Sequence, residues 1–401
     1  MDFELSEEHA LLRRTVREFA EGEVAPLAEE NDRTKSIPYD IIAKLGALNL
    51  MGIPFPEEYG GAGADTLAYV LAVEKLTRVD SSVAITLCTH TSLGTQPVYL
   101  FGTEQQKREW MPVLCSGAKL GAFGLTESEA GSDAGNTRTR AELRDGEWVI
   151  DGAKQFITNA GTDISGLVTI TAVTGGDPDG EHNGTDRHSR EISNLLVPNG
   201  TPGYEPGEPY RKMGWHASDT RPLTFSGCRV AEENLLGPRG AGLRQFLQVL
   251  SIGRIGVAAM GLGLAQGAFD QALAYAKERR AFGRAISTFQ AIQGKLADMV
   301  TEIEASRLLV YRAALLKDAD RDFNLAAAQA KLKTGRLAVR CADEAVQIHG
   351  GYGYIEDYPV CRMYRDAKVL TIGEGTDELQ QIVIARALGA SVTSTQGRRW
   401  R

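Results

Sequence analysis

Apolar side chains recur at helical spacing in the C-terminal third of the chain. One stripe consists of Ile292, Leu296, Met299 and Ile303. Their intervals of four, three and four residues place them on one face of a helix, with most charged side chains on the other faces. Residues 262–280 and 325–349 have similar spacing, and no proline occurs between 239 and 358. Because proline breaks helix interiors, the pattern predicts long helices with short connections, as in an antiparallel bundle.

The middle of the chain has a different pattern, in which short β-branched or aromatic runs are separated by Gly, Asn, Asp and Pro. These runs lie at 147–150, 155–158, 167–173, 192–197 and 222–225. Runs of this length and composition are typical of strands, so the pattern predicts a small β domain. Residues 174–190, between two of the runs, have no apolar anchor and are predicted to form a surface loop.

The N-terminal residues return to helical spacing. Their apolar face is formed by Leu5, Leu12, Val16 and Phe19. The order of elements is therefore helical, β, helical, and the fold class is α+β, mainly α. We predict an N-terminal helical domain over 1–118, a central small β-barrel domain over 119–236 and a C-terminal four-helix bundle over 237–401.

Composition narrows the functional classes. The 401 residues include 44 Lys and Arg against 52 Asp and Glu, a net charge of -8 that offers no basic surface for nucleic acid. Six His and five Cys without a CxxC pair argue against a zinc site, so we predict no metal. The start MDFELSEEHA is acidic where a signal peptide would be basic, and no apolar run approaches the ~18 residues that indicate a membrane span. We expect a cytoplasmic protein with no membrane span.

Two familiar ligand motifs are only approximated. In GLGLAQG at 261–267 the third glycine comes one residue late for a dinucleotide fingerprint, and no strand and turn precede it. Small residues for close helix packing explain it better. DPDG at 177–180 resembles the start of a calcium loop, but it contains proline and lacks the distal glutamate. Neither motif supports nicotinamide or calcium binding.

Two segments could contact a polar, flat ligand. In 122–134 a strand-like run leads into a turn where Thr126, Gly131 and Ser132 could present N–H groups to a polar ring edge, although an ordinary polar turn fits as well. In 152–161 Phe156 and Thr158 are two residues apart and therefore lie on the same face of a strand. They could contact a flat cofactor, or they could be a buried core pair.

A third segment offers a candidate general base. Glu374 lies between Gly373 and Gly375, and the apolar run 369–372 precedes it. A carboxyl group that faces an apolar pocket has a raised pKa, which suits it to general base catalysis. A solvated acid in a loop is the alternative, and its position in the sequence does not decide between them.

Five separated motifs resemble those of the acyl-CoA dehydrogenase family of FAD-dependent flavoenzymes, in particular its short- and medium-chain members. They are FGLTESEAGSD at 123–133, KQFITNAG at 154–161, KMGWHASDT at 212–220, RRAFG at 279–283 with Phe289-Gln290, and QIHGGYGY at 347–354 leading to GEGT at 373–376. The likeness runs from about residue 5 to 388.

The resemblance implies that the chain binds FAD. Contacts on the flavin side fall on Phe123, Leu125, Thr126, Ser132, Phe156 and Thr158. Contacts that reach the FAD of a neighbouring subunit fall on Arg279, Phe282, Gln290, Gln347, Gly350 and Gly351. The last turn of the chain that contacts the cofactor in the family falls on Thr376 and Glu378. A site completed by two subunits implies an oligomer, and the family pattern is a homotetramer arranged as a dimer of dimers. Phe156 stands where the family usually has Trp.

The resemblance also implies the chemistry. Glu374 matches the catalytic base, whereas the position that holds the base in a minority of members falls on Gly253. Substrate contacts fall on Ser132, Ser251, Arg254, Gly375 and Arg386. Gly373 replaces a frequent Tyr, which would widen the pocket for branched acyl groups. The implied reaction converts an acyl-CoA to a trans-2-enoyl-CoA and passes electrons to an electron-transferring flavoprotein.

Two alternatives stay open from the sequence. A relative with the same fold could oxidise an acyl group on a carrier protein, or transfer electrons to oxygen as an oxidase. A flavin-free helical protein that uses the fold as a binding module is the alternative from another functional class.

Overall fold

The computed structural model describes residues 4–176 and 190–390. The DPDG segment at 177–180, most of the predicted loop 174–190 and the last eleven residues lie outside the described residues. Within them the predicted order of helical, β and helical regions is confirmed. The predicted domain bounds stay predictions.

The N-terminal region is a helical layer. Its α-helices are α1 Glu7–Phe19, α2 Ala25–Thr34, α3 Tyr39–Ala47, α4 Thr66–Thr77, α5 Ser81–Thr89, α6 Gln96–Phe101 and α7 Glu104–Cys115. Side-chain caps fix several starts, since Asp65 accepts from Ala68 N–H and Asp80 accepts from Ser82 and Val83 N–H. Both α4 and α5 are buried almost all round, which explains their lack of a polar face.

The central region is one seven-stranded sheet that forms a half-barrel. Its strands are β1 Leu120–Gly124, β2 Arg140–Arg144, β3 Glu147–Thr158, β4 Ser165–Gly176, β5 Arg190–Pro198, β6 Tyr204–Pro206 and β7 Thr220–Ala231. The strand order is β1-β4-β2-β3-β7-β6, and β5 also pairs with β4. β1 runs parallel to β4, whereas β3 runs antiparallel to β2 and β7.

Two strand predictions need correction, and one further strand, β2, was missed. The runs 147–150 and 155–158 form one strand, β3, whose register with β7 shifts at two places. Residues 174–176 and Arg190 belong to β4 and β5 rather than to a loop, because Gly176 still pairs with Arg190. β2 was not predicted, since Ala141 is its one buried side chain and its sequence therefore lacks an apolar run.

The C-terminal region is helical again. Its elements are α8 Gly242–Glu278, β8 Arg280–Ala281, β9 Arg284–Ala285, α9 Gln290–Asp318, α10 Asn324–His349, α11 Pro359–Ala367 and α12 Asp377–Ala387. The predicted start of α8 at residue 262 is wrong, because residues 251–261 are buried continuously and carry no amphipathic signal. The predicted stripe on α9 holds, with Leu296, Met299 and Ile303 buried.

Helix α8 is the centre of the core. It packs against α10, α4 and α9, and one hydrophobic cluster joins the N-terminal and C-terminal helices, while a second fills the sheet. Among the described residues α8 alone is long and apolar enough to cross a membrane, but 83% of its apolar window is buried inside the protein. We therefore interpret α8 as a core helix.

Candidate active site

The candidate base Glu374 lies in a short loop between a 3₁₀ turn, Lys368–Thr371, and α12. Thr376 ends the loop as the N-cap of α12 and accepts a hydrogen bond from the Leu379 N–H. Glu374 has φ +50° and Gly375 has φ +94°, so two consecutive residues adopt left-handed conformations. This backbone disfavours a residue with a Cβ, and it directs the Glu374 side chain inward rather than to solvent.

The Glu374 carboxylate lies against α8 at Gly253. Both carboxylate oxygens are shielded from solvent and have no hydrogen-bond partner. A Cβ at Gly253 would collide with Oε2 and lie 3.0 Å from Cδ, so the absence of a side chain there makes the space that Glu374 fills. Burial raises the pKa of Glu374 to about 7, partly offset by the positive charges of Lys331 and Arg254. The alternative interpretation of Glu374 as a solvated acid in a loop is therefore wrong.

Two buried cations accompany the carboxylate. Arg254, on α8, is buried, and its Nε has no hydrogen-bond partner. Lys331, on α10, is fully buried and donates from Nζ to the Gly375 carbonyl at 2.7 Å. Sequence reasoning missed Lys331. The available signal is its position on the small-residue face of α10, in line with Ala327, Thr334 and Ala338, where a lysine is out of place.

A buried ion pair holds the turn after β1. Glu127 Oε1 accepts from Lys154 Nζ at 2.6 Å and from Thr139 Oγ1 at 2.7 Å, and Oε2 accepts from the Arg138 N–H at 2.6 Å. The Lys154 ammonium and these hydrogen bonds lower the pKa of Glu127 to about 2 in spite of its burial. Sequence reasoning also missed this pair, which ties the turn to β3.

The predicted flavin-side residues are placed around this turn. Phe123 is buried and stacks on Phe246 with ring centroids 5.8 Å apart, whereas Leu125 and Thr126 are half-buried and Ser132 is exposed. The Thr126 carbonyl accepts from the Gln155 N–H at 2.7 Å, which links the turn to β3 beside Phe156.

Phe156 and Thr158 form an open wall at the end of β3. Phe156 is 64% exposed, has φ +63° and lies beside Tyr210 with ring centroids 5.2 Å apart. Ile157 between them is buried, whereas Phe156 is exposed and Thr158 is half-buried. A buried core pair is therefore the wrong interpretation of these two side chains.

Unpartnered polar atoms occur in the segments that follow β3 and precede β7. Asn159 Oδ1, Trp215 Nε1 and Ser218 Oγ are buried and have no hydrogen-bond partner. Asn159 directly follows Thr158, and β7, which the 215–218 segment precedes, pairs with β3 at Thr158. The exposed aromatic face of Phe156 suits a flat ligand, such as a flavin.

A second group of predicted cofactor residues lies on the protein surface. Between β8 and β9 a two-residue turn, Phe282-Gly283, has φ +49° and +81° and leaves Phe282 95% exposed. The Arg279 guanidinium lies 5.6 Å from the ring centroid of Tyr352, which joins this hairpin to the turn after α10. The remaining members of the group are exposed: Gln290, Gln347, Gly350 and Gly351.

The other predicted cofactor and substrate contacts lie after the Glu374 loop and on helices α8 and α12. Thr376 and Glu378 line a cleft of about 340 Å³ together with Arg336 and Lys368. Ser251 is nearly buried and donates to the Leu247 carbonyl at 3.0 Å. Arg386 is exposed on the last turn of α12.

These features define a class of protein. An unpartnered carboxyl of raised pKa, close-packed on a helix beside two buried cations, is the environment of a general base in an enzyme. The exposed aromatic side chain at the end of β3 suits a planar cofactor. Among the described residues no group of His, Cys, Asp and Glu could hold a metal ion.

The chain belongs to the acyl-CoA dehydrogenase family. Residues 6–118, 122–228 and 240–389 match the N-terminal, middle and C-terminal domains of acyl-CoA dehydrogenase. A protein called probable acyl-CoA dehydrogenase YngJ, from Bacillus subtilis (strain 168), is 49% identical over 97% of this chain and 100% of its own. The chain is therefore an acyl-CoA dehydrogenase enzyme, and members of this family are FAD-dependent flavoproteins.

Solved structures agree in fold. Butyryl-CoA dehydrogenase from Megasphaera elsdenii has a TM-score of 0.91 and 42% identity, covering 97% of this chain and 100% of that chain. A chain from a structure of the electron transferring flavoprotein of Acidaminococcus fermentans has a TM-score of 0.92 and 44% identity, covering 97% of this chain and 99% of that chain.

Proposed function

We propose that this protein is an FAD-dependent acyl-CoA dehydrogenase that removes the α-proton and a β-hydride from an acyl-CoA, giving the trans-2-enoyl-CoA. The observation that carries the proposal is the shielded, unpartnered Glu374 carboxylate, whose pKa is raised to about 7. A base with a pKa near the working pH is ionised often enough to accept a proton and basic enough to bind it.

Glu374 supplies the base and a part of the polarising site. Its carboxylate takes the α-proton, and its backbone N–H donates to the thioester carbonyl oxygen as negative charge develops there. FAD, when bound, would supply the acceptor for the hydride. Burial of its oxygens raises the affinity of the carboxylate for the proton, whereas Arg254 and Lys331 favour the ionised form.

The FAD site uses both groups of predicted residues. The turn with Thr126 and Ser132 and the wall with Phe156 and Thr158 would hold the flavin ring. The exposed group with Arg279 and Phe282 would reach the pyrophosphate and adenosine of a partner's cofactor, with Gln290, Gln347, Gly350 and Gly351 beside it. A phenylalanine that is 95% exposed supports this assignment, because burial in a homotetramer would remove it from water.

Substrate and partners complete the proposal. Arg254 and Arg386, with Ser132, Ser251 and Gly375, would contact the CoA thioester. Electrons would pass to an electron-transferring flavoprotein, which the similarity to a chain solved with that name supports. A cytoplasmic location is supported by the five cysteines, all of which are free.

An absorbance spectrum and a substrate panel test this function. The purified protein is scanned for a flavin spectrum and then mixed anaerobically with straight and branched acyl-CoAs from C4 to C16. We expect loss of the oxidised flavin band with at least one of them. A Gly373→Tyr variant tests the wider pocket, since its added side chain should reduce the rates of branched substrates more than straight ones.

Other outcomes separate the alternatives. A flavin band that no acyl-CoA removes, but an acyl-carrier protein does, would favour the carrier-linked relative. Turnover with oxygen as fast as with an artificial acceptor would favour the oxidase. Protein that has no flavin band and does not bind added FAD would contradict the proposed function in favour of a flavin-free binding module.

A further inference from the structure

Lys331 is a buried cation without an obvious structural purpose. It is fully buried in α10, and its hydrogen-bond partner among the described residues is the neutral carbonyl of Gly375, at 2.7 Å. The nearest oxygen of Asp377 is 3.9 Å away. Burial of an ammonium is unfavourable unless it is well paired, and it lowers the pKa of Lys331 to about 8. The stability of the helix therefore gives no reason for a lysine here.

The Gly375 carbonyl is held by two donors from different parts of the fold. Lys331 Nζ approaches from α10, and Gln380 Nε2 from α12 donates to the same oxygen at 3.0 Å. The peptide thus fixed joins Gly375 to Thr376, one residue beyond Glu374, whose φ of +50° is unfavourable for a non-glycine residue. The two bonds oppose relaxation of this backbone, and relaxation would withdraw the carboxylate from Gly253.

Lys331 also acts on Glu374 through its charge. The Glu374 oxygens have no hydrogen-bond donor, so the ionised form is favoured only by charges at a distance, and Lys331 and Arg254 supply these. Of the nearby acidic groups, Asp377 pairs with Arg336 at 2.9 Å and lies 3.9 Å from Lys331, and Glu378 is exposed.

The other groups that face Glu374 do not change charge near neutral pH. Tyr69 from α4 and Cys88 from α5 both interact with the Glu374 charge. Burial raises the pKa of Tyr69 and of Cys88 well above their ordinary values, so both are neutral when Glu374 titrates. The pH response of Glu374 is therefore governed by its own burial and by the two cations.

We propose that Lys331 is a positioning residue for Glu374: it holds the Gly375 carbonyl so that the strained loop keeps the base against α8, and its charge sets the pH at which the base becomes active. This inference rests on the proposed function, because it assumes that Glu374 is the base.

Four variants separate the two effects. Lys331→Met removes the donor and the charge, Lys331→Gln removes the charge and keeps a donor, and Lys331→Arg keeps both. Gln380→Leu removes the second donor without changing charge. Lys333→Met is the matched control, since Lys333 lies two residues further on α10, is partly exposed and pairs with Glu302.

The readouts are the pH dependence of anaerobic flavin reduction and an infrared titration of the Glu374 carboxyl, assigned by loss of its band in Glu374→Gln. In Lys331→Met we expect the pKa from both readouts to rise by about one unit, and the reduction rate at high pH to fall roughly 10-fold or more. Lys331→Gln should show the pKa rise with a smaller loss of rate. Gln380→Leu should lose rate at unchanged pKa, and Lys331→Arg and Lys333→Met should resemble the parent in pKa.

Superimposable pH profiles and infrared titrations for Lys331→Met and the parent would overturn the proposal. If Lys331→Met does not fold, Lys331→Gln tests the effect of the charge and Gln380→Leu tests the effect of the held carbonyl. A failure of the proposed function looks different: no acyl-CoA would reduce the parent's flavin, while the infrared titration would still report whether Lys331 controls the carboxyl.

Discussion

At the scale of single residues, the site depends on one carboxylate held in an unfavourable place. Glu374 combines a left-handed backbone, shielded oxygens without donors and a position that Gly253 leaves open. The left-handed backbone and the burial of an unpartnered carboxylate both cost stability, and the burial gives Glu374 its raised pKa.

The raised pKa of Glu374 predicts opposite effects of pH on rate and on stability. The rate of flavin reduction should rise as pH increases through about 7, because the ionised base is the active form. The folded pKa of about 7 exceeds the ordinary 4.5, so this group favours the folded state below pH 4.5 and loses that contribution as pH rises through 7.

Glu374→Gln should therefore stabilise the protein at pH 8 by an amount on the order of 3 kcal/mol, and by much less at pH 5. Urea unfolding of both proteins at the two pH values measures this. Equal stabilisation at pH 5 and pH 8 would contradict this account, because it would mean that burial of the carboxylate charge does not lower the stability of the parent.

Gly253 gives a second prediction at this scale. In Gly253→Ala the new methyl group must displace the Glu374 carboxylate, and a shift of about 1 Å at a reacting group can lower the rate roughly 100-fold. Because only the end of a flexible side chain has to move, FAD content and the unfolding midpoint should stay near the parent values. Gly294→Ala on α9, where a Cβ meets no atom within 4 Å, is the control. A parental rate in Gly253→Ala would contradict the placement of Glu374.

At the scale of elements, the turn after β1 is held from three sides. Lys154 on β3 joins Glu127 in the turn to Thr171 on β4, with Nζ to Oγ1 at 3.2 Å, and Glu127 accepts from the chain that enters β2. This network fixes the turn that the proposed flavin site requires.

The network predicts the effect of removing one partner. Glu127→Gln leaves Lys154 as a buried cation without a counterion and should cost about 3 kcal/mol of unfolding free energy. The low pKa of Glu127 means that its contribution is present above pH 4.5 and is lost as pH falls through about 2. Chemical unfolding and FAD titration test this, and the double change Glu127→Gln with Lys154→Met should recover much of the stability. A single variant as stable as the parent would contradict the role of the pair.

The sequence predicts an element well where one face of it is buried and the other is exposed to solvent, and poorly where all faces have the same environment. The predicted stripe on α9 and the predicted helix at 325–349 agree with the structure, because each helix buries one face and exposes the other to solvent. Residues 251–261 of α8 show no periodicity because they are buried all round, and β2 and β6 are too polar or too short to stand out. The motifs indicated Glu374, whereas Lys331 and the Glu127–Lys154 pair depend on contacts between distant segments.

At the scale of the whole molecule, the protomer exposes side chains that an assembly would cover. Phe282 and Tyr354 are 95% and 85% exposed, near the contact between Arg279 and Tyr352. Large aromatic side chains exposed together on a surface indicate an interaction site.

If subunits share the cofactor site, substitution of Phe282 should have a specific effect. In Phe282→Ser the protomer should keep its circular dichroism spectrum, because this side chain makes little contact within the chain, but it should retain less FAD and form smaller oligomers. Light scattering and the ratio of flavin to protein absorbance measure this. Leu11→Ser, at an exposed leucine of α1, is the control. Parental mass and FAD content in Phe282→Ser would contradict a site shared between subunits.

The central claim is that Glu374 removes the substrate proton, and single-turnover flavin reduction tests it most directly. The parent and Glu374→Gln are loaded with FAD, mixed anaerobically with the best acyl-CoA of the panel, and followed at the oxidised flavin band. The account predicts rapid loss of the band in the parent and a rate at least roughly 1,000-fold lower in Glu374→Gln, with the acyl-CoA still bound. A comparable rate of reduction in Glu374→Gln would show that another group is the base.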